Sequence, residues 1–434
     1  MDCKTVSRLR LYDSWLKART MILIMEEKVF DLVVVGAGLM GSAAAFHASQ
    51  LSKISVCLVG PPEPKNRQEV EIFGCWHDEG RVYYRISPLH TWQVVSSRSI
   101  ERLANLEELT GIKICTKTGC IHIYKDKKKH EENIEVSRQL DLEGQDISHT
   151  WKNIFPFLNM PEGASICYEE KCAGHLNPRR LVEAHQKAAQ LAGTHLLKEI
   201  VMTVRPSETM MHRWEVVTES GTVLQCQQVL VATGGYAALK PLFQHVKPGF
   251  VPKLELRTQT VAFLQISEEE AHRLWRMPCM VIRHPFKNLD GGYVVPPIKY
   301  PDGKWYVKMG HGRAYEETRS SLAEVTHWYQ QQSGVPECVQ QLTQYLKYLL
   351  PGLKVESVCG DGCLTSHTPN GEPYIDIVAE GFGVVLGGNG YGAKCSEELG
   401  RLSVHLTLLG EWDSDVPRER VRIIWEAETV NKVH

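Results

Sequence analysis

The feature that most limits this chain is an apolar strand, a glycine turn and a small-residue helix in immediate succession. Residues 30–35 are apolar apart from Asp31, as in a strand buried on both faces of a parallel sheet. Gly36, Ala37, Gly38, Leu39, Met40 and Gly41 follow in GxGxxG spacing, and Ser42, Ala43, Ala44 and Ala45 continue a helix predicted over 39–51. The first glycine permits the tight turn, the second admits a pyrophosphate, and the third lets helix and strand pack closely. The helix N-terminus offers free N–H groups and positive dipole to phosphate. Alone, this unit serves NAD or FAD. The next strand, predicted over 54–59, ordinarily ends in an acid for the adenosine ribose. Gly60 stands there instead, and Glu63 follows beyond Pro61 and Pro62. The ribose contact then falls to Glu63 or to backbone and water.

The rest of the chain alternates between two textures. Thr91 is placed to cap a helix with Trp92, Val95, Ser99, Leu103 and Leu106 on its buried face, ending at Gly111. Asn177 and Pro178 start another, lined by Leu181, Ala184, Ala188 and Leu191 and closed by Gly193. Strands are predicted at 200–204, 214–218, 223–226 and 229–232. Ser267 with Glu270 and Ser321 with Glu324 have capping-box spacing. Between them, 292–296 and 304–310 alternate as in an antiparallel sheet. A strand at 383–386, a glycine-rich turn and a helix from about 393 return to the first texture. The expected fold is therefore α/β, a discontinuous Rossmann-type domain with an interleaved, mainly antiparallel α+β substrate domain. The first takes 28–112, 166–250 and 355–425, and the second 113–165 and 251–354. Residues 1–24 read as an N-terminal extension, with Met25 opening a compact start.

Composition removes several function classes. With 49 basic and 51 acidic side chains in 434 residues, no basic excess points to nucleic acid or a charged membrane. The basic run at 127–130 is flanked by acids and reads as a solvated face. The apolar stretch 32–46 is too short to span a membrane. Thirteen cysteines occur without a CxxC pair, so neither a zinc ribbon nor a disulfide framework is expected. No metal site is expected.

Several motifs together resemble the monomeric sarcosine oxidase family, which includes the peroxisomal sarcosine and pipecolate oxidases, over residues 28–425. The carrying residues are Cys363, Leu364, Thr365, Ser366, His367, Thr368 and Pro369, then Tyr374, Ile375 and Asp376. Tyr306 to Gly310 and Gly387 to Lys394 add to them. The resemblance implies FAD, held by residues 36–41, Arg81, Gly388, Asn389, Gly390, Gly392 and Lys394, and linked covalently as a thioether at Cys363. It implies Lys308 over the flavin face, activating oxygen, with His311 one position before the usual active-site histidine. It places Lys394 on the substrate carboxylate, and His77 and Arg81, four apart, in a loop crossing the flavin. The small pair before that histidine is replaced here by Cys75 and Trp76. The second arginine of that loop falls at Tyr84, and Arg85 lies one beyond.

Lys308, Lys394, Arg85 and His77 are thus the expected catalytic residues. The implied activity is oxidation of an amino acid or N-substituted amino acid to an imine with formation of hydrogen peroxide. A monomer acting on a small substrate and oxygen is expected. The resemblance implies a peroxisome, although the C-terminal Asn-Lys-Val-His is not of the Ser-Lys-Leu type; mitochondrial and cytoplasmic placements stay open. A flavin dehydrogenase serving a carrier and a flavin-binding interaction protein are the alternatives.

Overall fold

The computed structural model describes residues 28–209, 211 and 213–428. The N-terminal extension and the C-terminal tetrapeptide lie outside the described residues. An eight-stranded sheet is built around Val29–Val35, which lies parallel between Val56–Val59 and Val223–Val231. His195–Leu197 extends it on one side, and Phe382–Leu386 runs parallel to the end of Val223–Val231. Phe30, Val33 and Val35 enter one core cluster while Leu32 and Val34 enter another. Both faces are covered, which is why the strand reads as continuous apolar sequence.

Val223–Val231 replaces the two strands expected at 223–226 and 229–232. Its first half pairs antiparallel with Trp214–Thr218 and its second half parallel with Phe382–Leu386. The polar Gln227 and Gln228 mark a change of partner, not a break. The helix expected from Thr91 begins at His90 after Leu89, and the buried Thr91 hydroxyl caps nothing. Ser267 does cap its helix, but the Glu270 carboxylate turns to Arg273 and the Lys354 amide instead of closing the box. Ser321 and Glu324 close theirs. Asn177 caps Pro178–Leu191 as expected, whereas Leu191 is exposed.

A nine-stranded sheet forms the second unit. Its pairings are antiparallel except for Cys279–Arg283 beside Cys120–Tyr124. Two strands sit in this sheet although the sequence segments place them in the first unit. Ser165–Glu169 pairs with Cys120–Tyr124, and Ser357–His367 runs the length of Glu255–Ile266. Backbone pairing over eleven register positions fixes the second of these. Cys363 therefore approaches the glycine loop from the opposite sheet. No helix among the described residues is long and apolar enough to cross a membrane.

Small residues let the final helix, Gly392–Val404, lie directly on Leu39–Ser49. A Cβ at Gly400 would stand 2.6 Å from the Ala44 nitrogen and 2.7 Å from the Ala43 Cβ. Gly400→Val should therefore lower stability by roughly 2–3 kcal/mol, the cost of overpacking. Thermal denaturation will register it as a reduced Tm; an unchanged Tm would show that the helices separate freely.

Candidate cofactor and active site

Gly36 adopts φ +111°, and a Cβ there would meet the Ala232 carbonyl at 2.6 Å. A Cβ at Gly41 would overlap the Gly36 carbonyl. Both positions are closed to any side chain, so the turn passes directly under the helix Leu39–Ser49. Gly38 precedes that helix with no side chain capping it, which leaves its first N–H groups free for an anion. Residues 36–40 line a long cavity together with Gly60, Thr233 and Cys363. Gly387, Gly388, Gly390 and Gly392 also line it, with Gly388 and Gly392 packed toward Met40. This cradle fits a dinucleotide: backbone donors at the phosphates, small residues where a flat ring system needs room.

The missing ribose acid has a steric origin. A Cβ at Gly60 would lie 2.4 Å from the Ala37 nitrogen. Glu63 is held by Arg179, with Nε donating at 2.9 and 3.0 Å, and Arg179 also bonds Glu79 at 2.7 Å. Glu63 is thus already engaged in a bridge.

One acid ties the loop after the cavity-lining His77 to the nine-stranded sheet. Asp78 accepts from Lys308 Nζ at 2.5 Å, from the Tyr300 hydroxyl at 2.9 Å and from the Glu79 amide at 2.8 Å. Arg81 pairs with the same carboxylate. Its Nη2 also donates to the Cys75 carbonyl at 3.2 Å and reaches Cys363 Sγ at 3.7 Å. Lys308, fully buried on Trp305–His311, also donates to the Gly80 carbonyl. Burial, and then the Arg81 charge, hold its pKa well below the usual lysine value. Asp78 carried no signal in the sequence beyond its place in the loop after His77; only pairing across the sheets reveals its role.

His77 lines the cavity edge-on between Phe73 and Trp76, at 4.3 and 4.1 Å between ring centroids. Neither of its ring nitrogens has a partner. Trp76 lies over Gly38, in the loop where the resemblance leads one to expect small residues. Lys394 is buried, donates to the Tyr84 carbonyl at 3.2 Å, and stands 3.3 Å from the Tyr84 ring centroid.

Three other expected site residues lie elsewhere. Arg85 is bonded to buried Glu169 through both its amide and Nε; like the buried Lys308 and Lys394, it is not among the residues that line the cavity. Asn389 braces the glycine turn: its Oδ1 accepts from the Thr368 amide at 3.0 Å and its Nδ2 donates to the Gly387 carbonyl at 2.7 Å. His311 Nε2 accepts from the Thr260 amide at 2.9 Å and its other nitrogen faces the Gly312 carbonyl, so its ring is spent on backbone.

Residues 31–406 match the FAD dependent oxidoreductase family, and the chain belongs to that family. It is 24% identical over 405 residues to monomeric sarcosine oxidase of Arthrobacter sp. (strain TE1826), covering 90% of this chain and 95% of that protein. It is 23% identical over 381 residues to N-methyl-L-tryptophan oxidase of Yersinia pestis (strain Pestoides F), covering 86% and 94%. Among solved structures, NikD, an amino acid oxidase of nikkomycin biosynthesis, superposes with a TM-score of 0.72 at 16% identity, over 93% of this chain and 99% of that one. The protein is an FAD-dependent oxidoreductase.

Two measurements test this site. Asp78→Asn leaves Lys308 and Arg81 without their carboxylate, and stability should fall by about 3–5 kcal/mol; chemical denaturation with an unchanged midpoint would refute the joint. The histidines set an acid limit. Burial, then Arg179 and Arg67, push His77 down to about 3, and burial pushes His185 to about 4. Both are neutral in the fold but take a proton near 6.5 once unfolded. Their contribution is full above about pH 6.5 and is lost as pH falls toward 4. Tm should drop over that interval, and His185→Leu should shrink the drop.

Proposed function

We propose that the protein oxidises the C–N bond of an amino acid or N-substituted amino acid to an imine, which water then hydrolyses. The observation that carries this is a second-sheet lysine, Lys308, buried against Asp78 and tied through that carboxylate to Arg81, which lines the dinucleotide cavity with Cys363. The relatives named for sarcosine and N-methyl-tryptophan oxidation support the same reading. FAD, when bound, supplies the acceptor for two electrons, and oxygen taking them onward yields hydrogen peroxide.

The roles of this chain's residues follow from their positions. The free N–H groups after Gly38 hold the pyrophosphate, and Gly388, Gly390 and Gly392 let backbone approach the ring system. Cys363 is the attachment point, since it lines the cavity with Arg81 Nη2 at 3.7 Å from its sulfur. Asp78 neutralises part of the charge of Lys308 and Arg81 and fixes both side chains. Lys308 places a positive field where negative charge develops on oxygen. Lys394 orients the substrate through its carboxylate. The substrate amine reacts in its neutral form, so no general base is assigned.

Stopped-flow mixing of the reduced enzyme with oxygen tests the oxidase reading. Lys308→Met should slow reoxidation by about a hundredfold and leave reduction by substrate far less affected. Sluggish reoxidation of the wild type would instead favour a dehydrogenase serving a carrier. Covalent attachment has its own assay. Yellow fluorescence should remain with the polypeptide on an acid-soaked denaturing gel and vanish in Cys363→Ser.

A further inference from the structure

Side-chain alternation sorts the second sheet into two faces. Ile121, Ile123, Met280, Ile282, Val307 and Met309 enter its apolar core. His122, Tyr124, Arg283 and Lys308 therefore point the other way, toward the first unit. Arg283 is in register with Tyr124, and its Nη1 donates to the Tyr124 hydroxyl at 3.1 Å. The Tyr84 phenol lies within electrostatic reach of the same guanidinium. Lys394 stands over the ring of the same Tyr84. One phenol thus spans the gap between a guanidinium and an ammonium that come from different units.

Neither cation has a carboxylate bonded to it among the described residues. Lys394 donates to a carbonyl, and Arg283 to the Tyr124 phenol. The nearby acid, Glu169, is taken: it accepts from the Arg85 and Ile86 amides and from Arg85 Nε. His122 packs edge-on against Tyr84 at 4.7 Å. It is fully buried, and neither ring nitrogen has a partner. Burying the Lys394 cation without a counter-ion is costly, and a planar guanidinium such as that of the half-buried Arg283 is the group best matched to a carboxylate.

We propose that Arg283, not Arg85, completes the substrate-carboxylate site with Lys394. An incoming carboxylate displaces the Tyr124 hydroxyl as the acceptor at Arg283, and the freed phenol donates to it. The arginine expected in the loop after Arg81 is thus supplied from the strand Cys279–Arg283, and Tyr84 occupies the vacated position as an aromatic wall. The inference rests on the amino-acid oxidase reading and names the residue that selects acids over neutral amines.

The test uses the flavin-loaded enzyme, with benzoate and its uncharged counterpart benzamide as probes and the flavin absorption spectrum as readout. Wild type should bind benzoate about tenfold or more tightly than benzamide. Arg283→Met should raise the benzoate Kd about tenfold or more and leave that of benzamide unchanged. Should that variant fail to retain flavin, Arg283→Lys keeps the charge and loses the fork, and an intermediate rise in the benzoate Kd is expected. A benzoate Kd within about twofold of wild type in the variant that folds overturns the assignment of Arg283 and leaves the oxidase reading standing. A wild type that does not distinguish the two probes overturns both.

Discussion

The carboxylate of Asp78 lies where the two units of this protein meet, and the active end of the cavity depends on it. It sits in the loop that follows the cavity wall at His77, yet its partners include Lys308 from the middle of the second sheet. A lysine side chain fully buried in a strand would be expelled or neutralised without such a partner. Asp78 also takes the Arg81 guanidinium, and Arg81 reaches Cys363. A single acid therefore fixes the lysine, the arginine and, through them, the sulfur that faces the cavity. Because Lys308 and Cys363 stand in the nine-stranded sheet and Asp78 in the loop after His77, this contact ties the cavity wall at His77 to that sheet.

A second set of buried charges keeps the first unit rigid behind that wall. Glu397 and Glu398, both buried on the final helix, are met by His47 from the dinucleotide helix and by Arg102 from His90–Thr110. Arg401 closes the group with Nε and Nη2 both on Glu398. With Gly400 seated on Ala43 and Ala44, these pairs hold the glycine-rich turn against the phosphate-binding end. Asn389 completes the brace by bonding that turn to the segment after Cys363. The backbone groups that approach the cofactor are thus held by neighbours that do not themselves line the cavity.

The charge balance differs between the Asp78 cluster and the Tyr84 cluster. At Asp78 two cations share one acid. Around Tyr84, Lys394 and Arg283 face only phenols and carbonyls, while Glu169 is consumed by Arg85 and backbone amides. The positive excess beside Tyr84 is what an anionic substrate group would answer. The unpartnered His122 and the ring of Tyr391 pack around the same cluster.

Local chemistry was legible along the chain wherever one segment carries it. The strand, the GxGxxG turn and the alanine-rich helix follow from residues 30–45 because the turn's geometry is dictated by which positions lack a Cβ. The alternation at 292–310 gave the antiparallel sheet, and Asn177 with Pro178 gave a helix start, since capping is settled within a few residues. Tertiary contact decided the rest. Gln227 and Gln228 look like a strand end, yet the strand continues because a second partner arrives from residues 382–386. Cys363 belongs to the second sheet through a ladder with Glu255–Ile266, a pairing no local pattern encodes. Arg85 and Asn389 carry suitable chemistry but spend it on Glu169 and on the turn. Asp78 and Arg283 acquire meaning only from residues far away in sequence. Sequence determined that a dinucleotide binds here; the packing of two sheets decided which charges face it, because the field at a point depends on distances in space.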